Sequence, residues 1–173
     1  QIDKFGNVIQ IIDVSAIDLK PYGICTDGKY LWWVGGVNSN IHCIDKFGNL
    51  IYSLITWAID GSLVGICTDG KYLWLTGTAN DNIYQIDKFG NLINTINIAG
   101  IELNPHGITT DGKYLYWQTY GGPDIHCIDK FGNLIYSINI AATGGEPWGI
   151  DFDGKYLWWT GIENNIIVQE ARL

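Results

Sequence analysis

The chain repeats itself every 42 residues, and that period limits its folds more than any other feature. The element IDKFGN begins at Ile2, Ile44, Ile86 and Ile128, and DGKYL begins at Asp27, Asp69, Asp111 and Asp153. Neither series carries an insertion or a deletion. A unit of this length cannot bury both faces of its own sheet, so neighbouring units must stack to build a common core.

Within one unit the apolar residues alternate over short runs bounded by turn residues. In the unit from Pro21 to Ile55, Gly23–Thr26 predicts a first strand and Asp27-Gly28 a tight hairpin. Tyr30–Val34 predicts a second strand, Asn40–Ile44 a third and Leu50–Ile55 a fourth, with Phe47-Gly48-Asn49 as the last turn. No segment keeps a 3.6-residue period for two turns, so helices are not expected. Twenty-two Gly, 8 Trp and 10 Tyr suit a turn-rich, aromatic-packed β protein.

Four antiparallel strands in about 42 residues is the size of a propeller blade. The expected fold is all-β, with residues 1–173 forming a single propeller of four blades, each of four antiparallel strands. Val8–Ile12 reads as a fourth strand without its first three. Gly149–Phe152, Tyr156–Thr160 and Ile166–Gln169 read as three strands without a fourth. Pairing of these N- and C-terminal strands would close the ring and remove two exposed edges. Two other assemblies stay open: two chains making one eight-bladed ring, or further blades before Gln1. A monomer is the favoured state. The chain starts at Gln1 and contains no Met, as a processed form or a fragment does. Where IDKFG is next due, Glu170-Ala171-Arg172-Leu173 reads as a chain end.

The pattern GIxxDGxxLWxxG, then NxIxxID, then FGNLI, resembles the blades of the NHL/YVTN-type propeller families over essentially the whole chain. It departs from them in the doubled aromatics Trp32-Trp33, Tyr116-Trp117 and Trp158-Trp159, and in having four blades where those families usually have six or more. The resemblance implies the fold. It does not imply a function, because propellers host lectins, lyases, hydrolases and scaffolds.

In such a ring, the loops joining strands one to two and three to four share one face, and here they never change. DGK and DKFGN fit tight turns that need positive φ. Trp32, Trp74, Tyr116 and Trp158 of the second strands are expected to fill the wide wedges between blades. The opposite face varies. A ring of Tyr22, Val64, His106 and Trp148 is expected around the channel mouth, with Cys25, Cys67, Thr109 and Asp151 alternating into or beside the channel. Eight Lys and eight Asp in the repeated turns cancel. The remaining ten acids against Lys20 and Arg172 account for the net charge of −8. Most of these acids fall in the variable loops, so that face is expected to repel a phosphate backbone and to favour a cation, an amine or a basic surface.

Candidate ligand- or partner-binding residues are therefore Tyr22, Glu102, His106, Tyr120, Glu146, Trp148 and Asp151. No catalytic residue and no metal ligand is assigned. Asp18, Asp60 and Glu102 occupy equivalent places, where a carboxylate ring would suit Ca²⁺, but no DxDxDG-like run supports it. His42 and His126 read as packing. Cys25, Cys43, Cys67 and Cys127 form no CxxC pair and read as small buried thiols. No cofactor, no nucleic-acid partner and no membrane insertion is expected, since no apolar run approaches the ~20 residues of a span. The expected function is a non-enzymatic binding or structural module whose acidic, variable face engages a protein, small molecule or glycan. A carbohydrate-binding lectin is one alternative. A lyase or hydrolase centred on His106 is the other.

Overall fold

The computed structural model describes residues 1–141, 147–161 and 166–171. The first blade consists of β1 (Pro21–Thr26), β2 (Leu31–Gly35), β3 (Ile41–Ile44) and β4 (Leu50–Leu54). The second contains β5 (Leu63–Thr68), β6 (Leu73–Gly77), β7 (Asn82–Ile86) and β8 (Leu92–Asn97). The third contains β9 (Pro105–Thr110), β10 (Tyr114–Thr119), β11 (Asp124–Asp129) and β12 (Leu134–Asn139). The fourth has β13 (Pro147–Phe152), β14 (Tyr156–Gly161) and β15 (Ile166–Ala171). Each blade is an antiparallel meander, and the blades stand around one channel, so the chain is a four-bladed β-propeller. The innermost strands β1, β5, β9 and β13 pack in that order.

Every expected strand from residue 21 onward is present, with ends shifted by one or two residues. The first strands start earlier because a bulge follows their first residue. Pro21 pairs with Gly35 but Ile24 with Trp33, and the same slip recurs in β5 and β13. A bulge of this kind adds twist and turns the strand end toward the channel mouth. The turns behave as their sequence requires. Gly28, Gly70, Gly112 and Gly154 all have φ between 87° and 95°, a region open to glycine at no steric cost.

The expected closure is corrected. Val8–Ile12 joins no sheet, and among the described residues the fourth sheet has three strands. The N-terminal segment instead folds on itself. Ile2 bridges Val8, and the terminal ammonium donates to the Gln10 carbonyl at 2.7 Å. The Ile12 side chain then rests on Gly48 in the first blade, as Leu54 rests on Gly90 and Ile96 on Gly132. The segment is thus held to the first blade rather than to β15. The seam between the fourth and first blades is consequently unsealed. Ile24 is 63% exposed there, whereas its equivalents Ile66 and Ile108 are each 4% exposed because they lie in the preceding blade's wedge.

Three of the four wedge aromatics pack as expected, whereas Trp158 is only half-buried and stands at the unsealed seam. Trp32 packs with Leu63 and Ile66, Trp74 with Ile108 and Leu115, and Tyr116 with Leu157 and Trp159. Burying such side chains contributes about 1.5–3 kcal/mol each. Each wedge aromatic also has a polar handle. The Trp32 indole donates to Asp27 Oδ2 at 3.2 Å, and Lys88 of the second blade donates to the same oxygen at 2.6 Å. Asp27 Oδ1 meanwhile accepts from the backbone N–H groups of Lys29 and Tyr30, closing its own turn. The unit recurs one blade on, where Trp74 and Lys130 share Asp69 Oδ2 at 3.1 and 2.6 Å. The two repeated motifs are therefore more than turns. The Asp of one and the Lys of the other fasten adjacent blades.

Burial opposes the charge on Asp27, but the Lys88 ammonium, the N–H groups of Tyr30 and Lys29 and the Trp32 indole outweigh it. Its carboxyl is held well below the ordinary range, and Asp69 is lowered by the same set of groups in its own wedge. A carboxylate whose pKa is lower in the folded chain stabilises the fold above its unfolded value of 3.8, and that contribution fades as pH falls through the folded value. We expect Asp27→Asn to lower stability at pH 7 by about 1–3 kcal/mol and to flatten the loss below pH 4, as read by urea unfolding across pH. Trp74→Ala is expected to cost about 3–5 kcal/mol. Trp158→Ala, at the unsealed seam, should cost less than half of that in the same measurement.

Candidate functional site

The channel is lined by the four innermost strands. Cys25, Cys67, Thr109 and Asp151 all border it, as their alternation along the strands predicts, together with Trp158 and Thr160 of β14. The cavity they enclose is about 1060 Å³. Thr109 Oγ1 donates to Asp151 Oδ1 at 3.4 Å, so the one carboxylate on this wall among the described residues is tied to the neighbouring blade while staying exposed. The wall is otherwise mainly apolar. Desolvation and the Asp27 carboxylate push the Cys25 thiol up to about 12, and burial raises Cys67 well above its ordinary value. Neither thiol is an activated nucleophile.

At the mouth, three of the expected residues come together. The His106 and Tyr120 rings stack with centroids 5.3 Å apart and 26° between planes. Trp148 meets His106 at 5.6 Å and Tyr120 at 6.1 Å, both edge to face. These are ordinary aromatic contact distances. Backbone bonds set the cluster. Thr76 Oγ1 accepts from the Gly65 N–H and donates to the His106 carbonyl, fixing where β9 begins. Asn104, at φ 57°, receives the Tyr120 N–H on its carbonyl, and its own N–H donates to Asp81 at 2.7 Å. Tyr120 and Trp148 are 52% and 51% exposed, so the cluster presents two free aromatic faces. Burial lowers the pKa of His106, which keeps its ring neutral at pH 7. Among the described residues no carboxylate hydrogen-bonds to it.

The other expected residues do not join this cluster. Tyr22 is exposed but leans on Gly36 of its own blade. Glu146 lies outside the described residues. Glu102 turns away from the channel, and Oε2 sits 2.7 Å from His126 Nε2. Its equivalents do likewise. Asp60 Oδ2 accepts from the Tyr84 hydroxyl at 3.0 Å, and Asp18 Oδ2 lies 4.0 Å from His42 Nε2. Asp18 and Asp60 are buried in their own blades, so these three carboxylates do not converge on a common ion. Each ties the incoming loop to the third strand instead. His42 and His126 do pack, against Trp33 and Trp117, but they also answer these acids. The signal was in the sequence, since acid and partner stand 24 residues apart in each case. Asp124 joins Glu102 and His126, and their ligand atoms lie within 4.8 Å of one another. Among the described residues this is the one such group.

No family model and no curated protein matches the sequence. The fold has many solved counterparts. A catalytically inactive variant of virginiamycin B lyase from Staphylococcus aureus, solved with quinupristin, is similar with a TM-score of 0.69 at 23% identity. The match covers 99% of this chain and 58% of the lyase, so the chain spans little more than half of that protein. Glutaminyl cyclase from Myxococcus xanthus gives a TM-score of 0.70 at 12% identity, covering 88% of this chain and 74% of the cyclase. The computationally designed protein Ika4 gives 0.61 at 9% identity, covering 88% of this chain and 91% of the design. At such identities the likeness shows the architecture alone, a β-propeller.

The raised thiols yield an expectation. At pH 8 the folded chain should react with iodoacetamide at Cys25 roughly 10²–10³ times more slowly than the urea-unfolded chain. A folded-state rate equal to the unfolded one would show that the channel wall is open to solvent.

Proposed function

We propose that this chain is a binding module of the NHL/YVTN propeller type, which takes a small ligand bearing a flat or cationic group at its channel mouth. The observation that carries this reading is the convergence of His106, Tyr120 and Trp148 above a cavity with Asp151 on its wall. Two exposed ring faces offer stacking or cation–π contact. The Asp151 carboxylate offers charge pairing to a cation reaching into the channel, and the net charge of −8 favours its approach.

The lectin reading has one supporting feature, the exposed Trp148 and Tyr120 on which a sugar ring could stack. Its repeated-site form fits poorly. The places of His106 and Tyr120 are filled by Tyr22 and Gly36 in the first blade and by Val64 and Thr78 in the second. A sugar would therefore have one site per chain rather than one per blade. A lyase or hydrolase has His106 as a neutral base, but among the described residues that base lacks an orienting carboxylate.

Benzyltrimethylammonium is a minimal probe of the proposed site. Titration should quench tryptophan fluorescence saturably with one site per chain. Trp148→Ala and Asp151→Asn should each weaken binding about tenfold or more while leaving the melting temperature within a few degrees. Binding that survives in the double variant would overturn the channel-mouth assignment. Capture on a glycan array without binding of the cation would favour the lectin.

A further inference from the structure

The third blade departs from its neighbours at four places that meet in space. Asp18 and Asp60 become Glu102, and Gly35 and Gly77 become Thr119. Asn38 and Asn80 become Gly122, while Asn40 and Asn82 become Asp124. These changes surround His126, 24 residues after Glu102. A Cβ at Gly122 would collide with both Thr119 Oγ1 and Glu102 Oε1, so these two oxygens close in on the place where the other blades carry an asparagine side chain. Thr119 is 1% exposed, and its hydroxyl has no hydrogen-bond partner. In the second blade the matching asparagine, Asn80, fills this place and donates to Asp60 at 3.2 Å.

The geometry points to a divalent transition-metal site, with Zn²⁺ as its best-matched ion, formed by Glu102, Asp124 and His126. Two carboxylates and one imidazole form a mixed N/O donor set that suits a first-row metal better than Ca²⁺, which prefers oxygen throughout. Their ligand atoms lie within 4.8 Å of one another, so carboxylate rotation is enough to bring them around one ion. The unpartnered Thr119 hydroxyl faces Glu102, where it can support the bound carboxylate or a fourth ligand water.

Outer contacts are already in place. His126 Nδ1 lies 2.8 Å from Ser137 Oγ, and Trp117 packs against the ring at 4.6 Å with its plane tilted by 37°, which together hold the imidazole in place. With Nδ1–H donating to Ser137, the Nε2 lone pair is directed at the carboxylates, the arrangement in which a hydroxyl behind the ring orients a metal-bound imidazole. Asn139 donates to Asp124 Oδ1 at 2.8 Å and orients that carboxylate in the same way. On binding, the ion replaces whatever proton lies between His126 Nε2 and Glu102 Oε2, so metal uptake releases that proton. The blade comparison gives the site a direction. The first blade has His42 but Asn40, and the second has Asn82 and Tyr84, so neither presents two carboxylates beside an imidazole.

This site is independent of ligand capture at the aromatic cluster. The test is calorimetric titration of the chelator-treated chain with ZnCl₂ at pH 7. We expect one ion per chain with a Kd below about 10 μM, and a melting temperature that rises with zinc and returns with EDTA. Asp124→Asn restores the residue that the first two blades carry, so it should fold normally. It should weaken zinc binding about tenfold or more and abolish the thermal shift. His126→Ala should do the same. Zinc binding unchanged in Asp124→Asn would place the ion elsewhere and overturn the proposal. Lack of saturation at roughly 100 μM ZnCl₂ would overturn it as well, since no functional site in this affinity range would then exist.

Discussion

The contact between adjacent blades is what the rest of the structure rests on. One blade is a small twisted sheet with apolar residues on both faces, and it depends on a neighbouring blade for its stability. Trp32, Trp74 and Tyr116 cover those faces, and the Asp27–Lys88 and Asp69–Lys130 pairs fasten the same wedges at their polar ends. The two functions are joined in one carboxylate. Asp27 closes its own hairpin through one oxygen and receives the indole and the neighbouring lysine on the other. This explains why DGK and DKFGN do not vary. Changing either would disturb both a turn and an interface.

A face occupied by such contacts has little freedom to acquire a function. The opposite face is freer because its loops are anchored at a few points near their bases. A tie from loop acid to third strand holds down the loops that enter the second and third blades: Asp60 to Tyr84, Glu102 to His126. With the loop base held, residues beyond it can change without loss of the blade. His106, Tyr120 and Trp148 occupy such positions, and β9, the end of β10 and β13 place them against one another.

Much of the fold was legible from the period and the turn residues. Strand order, the hairpins and the wedge role of the second-strand aromatics followed from 42-residue spacing and from Asp-Gly and Phe-Gly-Asn chemistry. Ring closure was not legible. Val8–Ile12 has the composition of its repeat equivalents, Leu50–Leu54 and Leu92–Asn97. Whether it pairs with β15 depends on whether the arc of blades brings the two edges together, and no local pattern encodes that distance. At the site, the sequence picked out His106, Tyr120, Trp148 and Asp151 as departures from the repeat. It misplaced Glu102 because equivalence among Asp18, Asp60 and Glu102 suggested a shared channel mouth. Direction is what that reading lacked. A loop carboxylate can point inward or back to its own sheet, and the buried imidazole or phenol 24 residues later decided the matter.

The sequence by itself determined the unit: its length, its strands, its turns and the aromatic that each unit buries. These follow from side-chain alternation and backbone sterics, which act over a few residues and need no knowledge of neighbours. Tertiary structure alone decided which residues from different units meet. It brought Lys88 to Asp27 across 61 residues, gathered His106, Tyr120 and Trp148 at one mouth, and turned Glu102 toward His126. Such meetings depend on how the stacked sheets curve, a property of the packed whole that a 42-residue repeat contains only in its sum.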